Sequence, residues 1–142
     1  MTATPLPSPH PGPYLLRFPR MGTSESGYLS VVENTDGLLP FSVQRVFWTY
    51  DTPADSLRGG HAHRRTAQVL IALCGQIVVE TERPDGQRQT FTLAAPDHGL
   101  YVPPGTWHTM RPAPGAVQLV LASLPYEEAD YLRDYASFRA SY

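Results

Sequence analysis

A chain of 142 residues is long enough to bury one substantial core and short enough to be one domain. Its net charge of -2 and pI near 6.2 exclude a nucleic-acid or anionic-membrane surface as the main partner, and no run approaches the roughly 18 apolar residues of a membrane span. The single cysteine, Cys74, excludes an intrachain disulfide; with no charged-then-apolar leader at the N-terminus, a cytoplasmic protein is expected.

Residues 1–13 hold Pro5, Pro7, Pro9, Pro11 and Pro13, five of the fifteen prolines, without any apolar period. They read as a mobile arm preceding a domain over 14–142. Eleven further glycines punctuate the chain too often for long helices, so short strands are expected. Candidate strands lie over 14–18 and 28–33, separated by a turn over 22–27. A long alternating strand over 41–50 places Val43, Arg45, Phe47 and Thr49 on one face and Gln44, Val46, Trp48 and Tyr50 on the other. Arg45 among apolar neighbours either covers apolar surface with its stem or clamps an anion with its guanidinium.

The stretch Arg58-Gly59-Gly60-His61-Ala62-His63 comes next. Residues two apart on a strand point to one face, so His61 and His63 project their imidazoles into a common space. Gln68-Val69-Leu70-Ile71-Ala72-Leu73 follows as an apolar strand, with Cys74 read as one more small buried strand residue. Pro84-Asp85-Gly86 between the strands 76–81 and 89–93 signals a hairpin. Leu100-Tyr101-Val102 leads to the turn Pro103-Pro104-Gly105 and a third histidine, His108. The run 117–122 is a further buried strand. Acids early in 127–138, with Tyr131, Tyr135 and Phe138 at i, i+4 and i+7, predict a short amphipathic helix packed on the sheet. His10 and His98 read as ordinary loop histidines, whereas Tyr50, Tyr101 and Trp107 are candidate aromatic walls around the paired histidines.

His-x-His, an amide at Gln68, Gly75, and then Pro-x-Gly-x-x-His resemble the two motifs of the cupin superfamily. The resemblance implies an all-β double-stranded β-helix, or jelly roll, with a short C-terminal helix. Three imidazoles suit a divalent metal, but Gln68 stands where a metal-binding cupin usually has glutamate, and a neutral amide leaves the charge of the ion uncompensated. Without a metal, paired imidazoles with unperturbed pKa near 6.5 suit proton transfer at a substrate with an acidic C–H.

A closer resemblance is carried by Pro40-Phe41, Gln44-Arg45-Val46, the stretch 58–63, Gln68-Val69-Leu70, Gly99-Leu100-Tyr101-Val102, Trp107-His108-Thr109-Met110 and Asp130-Tyr131-Leu132-Arg133-Asp134-Tyr135. Together these look like the sugar 3,4-ketoisomerases acting on dTDP-4-keto-6-deoxy-D-glucose in deoxysugar biosynthesis. The resemblance implies a metal-independent homodimer without a cofactor that moves a carbonyl from C4 to C3 through an enediolate. It implies His63 as the acid/base, His61 as its neighbour, and Arg45 for an oxyanion or phosphate. Arg58 is the candidate for the diphosphate, and Tyr50, Tyr101, Gln68, Trp107 and His108 are further substrate contacts. Two positions depart from the pattern: Thr23-Ser24-Glu25-Ser26-Gly27 lacks an arginine before the glycine, and Phe47 replaces a common tyrosine. Two other readings remain: a metal-dependent cupin enzyme using His61, His63, Gln68 and His108, and a non-catalytic sugar-nucleotide-binding cupin.

Overall fold

The computed structural model describes residues 12–34 and 37–142. Its strands in chain order are β1 (Tyr14–Arg17), β2 (Arg20–Thr23), β3 (Gly27–Ser30), β4 (Arg45–Thr49), β5 (Arg58–His63) and β6 (Gln68–Cys74). After them come β7 (Ile77–Glu82), β8 (Arg88–Leu93), β9 (His98–Val102), β10 (Trp107–Pro112), β11 (Val117–Ala122) and β12 (Tyr131–Leu132). The helix α1 (Tyr135–Ala140) closes the described chain.

Two five-stranded antiparallel sheets face each other, ordered β1-β9-β6-β11-β4 and β12-β5-β10-β7-β8, and β2 and β3 form a separate ribbon. Apolar side chains from both sheets fill the space between them, among them Leu70, Val79, Leu100 and Val120. The run in β6 is apolar on consecutive positions because the first sheet is covered twice. Leu70 and Ala72 face the core, while Val69 and Ile71 face a second cluster with Phe18, Leu39 and Leu121. A third cluster, Ala62, Leu132 and Phe138 with Trp107, lies under α1 on the outer face of the second sheet.

Several expectations are corrected. The expected arm over 1–13 is not one of these, since residues 1–11 lie outside the described residues; Gly12 and Pro13 are buried. The long strand expected over 41–50 is confined to β4: the Gln44 N–H still donates to the Ala122 carbonyl of β11, but the Val43 N–H turns away to Asn34 Oδ1. The expected helix over 127–138 divides into a 3-10 turn at Glu128–Asp130, then β12, then α1. Here edge pairing outweighs helical periodicity: Tyr131 and Leu132 pair with His63 and Ala62 on β5, and Asp134 then caps α1 through the Ser137 N–H. Cys74 ends β6 exposed rather than buried.

Gly59 and Gly60, both at positive φ, aim the paired histidines. The β5–β10 register shifts here, with His61 opposite His108 but Gly59 opposite Thr109. A Cβ on Gly59 would lie 2.8 Å from the His108 carbonyl oxygen, so only glycine permits this bulge. The Gly105 N–H donates to the His63 carbonyl at 2.7 Å and joins the turn before His108 to the same strand.

Candidate active site

Between the free edges of β4 and β12 opens a cavity of about 200 Å³. Phe47, Thr49, Gln68, Leu70, Gln118 and Val120 line it from the first sheet; Arg58, Gly59, His61, His108 and Met110 line it from the second; Tyr131 and Arg133 border it. Strand alternation brings these side chains inward. A larger hollow of about 580 Å³ beneath the β2–β3 ribbon is lined mainly by apolar groups and holds no histidine, so chemistry, not size, identifies the site.

His61, His63 and His108 converge. Their ring centroids are 5.0 Å apart for His61 and His63, 4.8 Å for His61 and His108, and 6.1 Å for His63 and His108. His61 lines the cavity directly, whereas His63 lies behind it at 3% exposure, its ring 4.4 Å from that of Tyr131. His63 Nδ1 is 3.0 Å from Asp130 Oδ2. An ionised carboxylate only accepts, so Nδ1 carries the proton and Nε2 holds a lone pair. That Nε2 is buried and has no hydrogen-bond partner. His108 Nδ1 similarly donates to the Thr106 carbonyl at 3.1 Å, which leaves its Nε2 as an acceptor.

Burial depresses all three imidazoles. His61 is lowered to about 4 by desolvation and then by the nearby His63, and His108 to about 3 by desolvation and then by His61. Desolvation also lowers His63, against the opposing pull of the Asp130 carboxylate. At neutral pH the cluster is therefore a set of neutral bases. Burial pushes Asp130 upward, but hydrogen bonds from Thr66, the Arg65 N–H and His63 outweigh it and hold the carboxyl below its ordinary range. Thr66 Oγ1 lies 2.5 Å from Asp130 Oδ2, and the Arg65 N–H 2.6 Å from Oδ1.

Cationic groups border the same space. Arg45 acts electrostatically on His63, and its Nε is buried without a hydrogen-bond partner; its guanidinium carbon lies 5.4 Å from the Phe47 ring and 5.7 Å from that of Tyr126. Arg133 stacks on Tyr131 at 4.2 Å and pairs with Glu128 through Nε at 2.8 Å and Nη2 at 3.0 Å. Arg58 lies at the cavity rim.

Of the residues expected from the sequence, His61, His63, His108, Arg45, Arg58 and Gln68 come together here. Tyr50, Tyr101 and Trp107 do not, and their expected place as walls is corrected. Tyr50, just after β4, is 61% exposed and of opposite parity to Arg45, Phe47 and Thr49. Tyr101 turns to the outer cluster, 4.9 Å from the Tyr14 ring. Trp107 packs outward on Tyr135 and Phe138. The actual aromatic wall is Phe47 and Tyr131. Asp130, Tyr131, Arg133 and Gln118 are site residues to which the sequence assigns no role. Asp130, Tyr131 and Arg133 lie within the C-terminal signature, but only β12 pairing reveals their neighbours.

The three histidines can also hold a metal, since their ligand atoms lie within 4.8 Å of one another. The Nε2 atoms of His63 and His108, whose Nδ1 atoms are engaged elsewhere, are suitable donors. The fourth inward group, Gln68, is a neutral amide, a weak ligand that offsets none of the charge of a divalent ion.

The chain is similar to known proteins over most of its length. A family model described as FdtA, WxcM-like, C-terminal, matches residues 12–142. A TDP-4-oxo-6-deoxy-alpha-D-glucose-3,4-oxoisomerase from Aneurinibacillus thermoaerophilus is 38% identical over 127 residues, 88% of each chain. The 3,4-ketoisomerase QdtA from Thermoanaerobacterium thermosaccharolyticum, solved with TDP, superposes with a TM-score of 0.85 at 32% identity, covering 92% of this chain and 93% of that one. The TDP-quinovose 3,4-ketoisomerase WlaRB from Campylobacter jejuni gives a TM-score of 0.83 at 32% identity, covering 90% and 97%.

Proposed function

The chain belongs to the FdtA family of WxcM-like C-terminal domains, and we propose that it is a 3,4-ketoisomerase of TDP-linked 4-keto-6-deoxy-D-glucose, working in deoxysugar biosynthesis without a metal or other cofactor. The observation that carries this reading is the neutral His61–His63 pair beside a cavity bordered by Arg58 and Arg133, with Arg45 close enough to act electrostatically on His63. At about 200 Å³ the cavity is smaller than the roughly 300–1,000 Å³ of pockets that enclose a whole drug-sized ligand. It therefore receives the sugar ring, and the diphosphate and base lie across the rim near Arg58 and Arg133.

The C4 ketone acidifies the C3 hydrogen. A neutral imidazole of the pair takes that proton; the C–H electrons form a C3–C4 double bond, and the carbonyl electrons move to O4. Arg45, with an unpartnered Nε, stabilises the resulting enediolate. Return of a proton to C4 and transfer of the O3 proton to O4 leave a ketone at C3 and a hydroxyl at C4. His63 is the acid/base member, because Asp130 fixes its tautomer and stabilises its imidazolium. His61 contacts the sugar and shares the shuttle. Neutral imidazoles and a neutral Gln68 favour proton transfer over a metal-centred reaction, since nothing in that set compensates a dication.

The protein is further proposed to act as a cytoplasmic homodimer. Among the described residues, no helix is long and apolar enough to cross a membrane.

Proton NMR of EDTA-treated protein with TDP-4-keto-6-deoxyglucose in deuterium oxide tests the reaction. The expected result is a 3-keto product carrying deuterium at C4. A spectrum without conversion or exchange at C3 overturns the reading and leaves a sugar-nucleotide-binding cupin.

A further inference from the structure

Gln118 is the most deeply buried polar side chain of the cavity floor outside the histidine cluster. It is 1% exposed, lines the cavity, and has neither its Oε1 nor its Nε2 hydrogen-bonded. A buried carboxamide with both ends unpaired is costly to the empty protein. An apolar residue of the same size would fill the position without that cost, as Leu70 and Val120 do nearby. The amide is therefore matched to something that enters the cavity.

The chemistry of the amide defines that group. A carboxamide offers one acceptor and two donor hydrogens, so a partner that uses both ends must itself donate and accept, as a hydroxyl does and a ketone does not. Gln118 stands on β11 in the first sheet, whereas His61 and His108 line the same cavity from β5 and β10 in the second, so the amide and the imidazoles face a bound ring from different walls. A ring whose C3 and C4 lie at the histidines directs a different substituent towards Gln118.

We propose that Gln118 is the specificity residue that grips the non-reacting hydroxyl of the sugar, at C2 in a 4-keto-6-deoxyhexose. Rotation about the terminal side-chain bond turns the amide to the ring, with Nε2 donating to the hydroxyl oxygen and Oε1 accepting its proton. This rests on the ketoisomerase reading and adds the recognition step to it. A site built for a hydroxyl rejects the analogue lacking it, because its own polar groups then stay unpaired.

The test pairs two proteins with two ligands. Wild type and Gln118→Leu are compared on TDP-4-keto-6-deoxyglucose and its 2-deoxy analogue, by kcat/KM and by calorimetric Kd. Wild type is expected to prefer the 2-hydroxyl compound by about 100-fold, the scale of a buried amide left unpaired, and Gln118→Leu to lose most of that preference by losing affinity for the hydroxylated compound alone. The melting temperature of the unliganded variant should stay level or rise, since two unpaired groups are removed. Equal discrimination by both proteins overturns the assignment, as does a variant that melts well below wild type while keeping its preference, which marks a structural amide. If Gln118→Leu does not fold, Gln118→Met removes the same polar atoms from an unbranched chain. Absence of turnover by wild type defeats the ketoisomerase reading, while the two Kd ratios still decide the role of Gln118.

Discussion

His63 Nδ1 lies 3.0 Å from Asp130 Oδ2 although the two residues are 67 positions apart, and both are buried. The contact depends on β12: Tyr131 pairs with His63, and the Arg64 N–H donates to the Asp130 carbonyl at 2.8 Å. Asp130→Asn keeps the shape and an acceptor but removes the charge that stabilises the imidazolium. Turnover is expected to fall by about 100-fold with little change in KM, because Asp130 does not line the cavity. The carboxylate raises the His63 pKa, so its loss moves the acid limb of the kcat profile to lower pH. An unchanged kcat and an unmoved limb would remove Asp130 from the mechanism.

Replacing the histidines separates their parts. His63→Asn retains a side-chain N–H for Asp130 and leaves the fold intact, yet costs at least about 100-fold in kcat, the scale for a lost general acid or base. His61→Asn changes a group that faces the cavity and therefore raises KM as well as lowering kcat. Steady-state kinetics on both variants decides this; near-wild-type turnover in His63→Asn would exclude it as the base.

How much of this was legible in the chain depended on range. The spacing of His61 and His63, the Gly59-Gly60 pair and the hairpin at Asp85-Gly86 are local patterns, and each appears where strand geometry places it. Tyr101 was misplaced because the first sheet is buried on both faces, so an aromatic residue beside Leu100 and Val102 gives no sign of which cluster it joins. Tyr50 shares the parity of Val46 and Trp48, the outer set of β4, and its exposure follows that parity rather than its chemistry. The helix expected over 127–138 had a genuine helical period, but an unpaired edge of β5 competed for Tyr131 and Leu132. Asp130 was invisible for the same reason, since its partner is fixed by that edge pairing.

Acid should destabilise the protein well above the carboxylate range. In the folded state His108 titrates at about 3 and His61 at about 4, whereas in the unfolded chain both titrate near 6.5. Between those values the unfolded state binds more protons, so stability is fully present above pH 6.5 and is lost as pH falls toward 4. For the wholly buried His108 the limiting slope is about 1.4 kcal/mol per pH unit. Urea midpoints measured from pH 7 to pH 4.5 should fall steeply, and His108→Gln should flatten the curve. A flat profile for wild type would mean that these histidines are charged in the folded protein.

The neutral amide at Gln68 gives a test of metal dependence. Gln68→Glu supplies the carboxylate that a dication needs beside His61, His63 and His108. Calorimetric titration with zinc is expected to show at least tenfold tighter binding by the variant than by wild type, and EDTA treatment should leave wild-type turnover unchanged. Loss of wild-type activity on chelation, restored by one metal, would favour the metal-dependent reading.

The last prediction concerns support from outside the cavity. Phe138 is fully buried, 5.6 Å from Trp107 by ring centroids, and belongs to the cluster of Ala62 and Leu132. Leu132 follows Tyr131 on β12, and Ala62 separates the two histidines on β5, so the underside of the site rests on this ring. Phe138→Ala leaves a cavity that costs about 3–5 kcal/mol, with unfolding free energy measured in urea at pH 7. Because β12 has only two residues to hold Asp130 in register, the variant is also expected to lose kcat at temperatures where it remains folded, in the direction of Asp130→Asn. Combining the two changes should then cost less in kcat than the product of the separate effects, since both act through the orientation of His63. Fully multiplicative losses would show that α1 supports the fold without supporting the dyad.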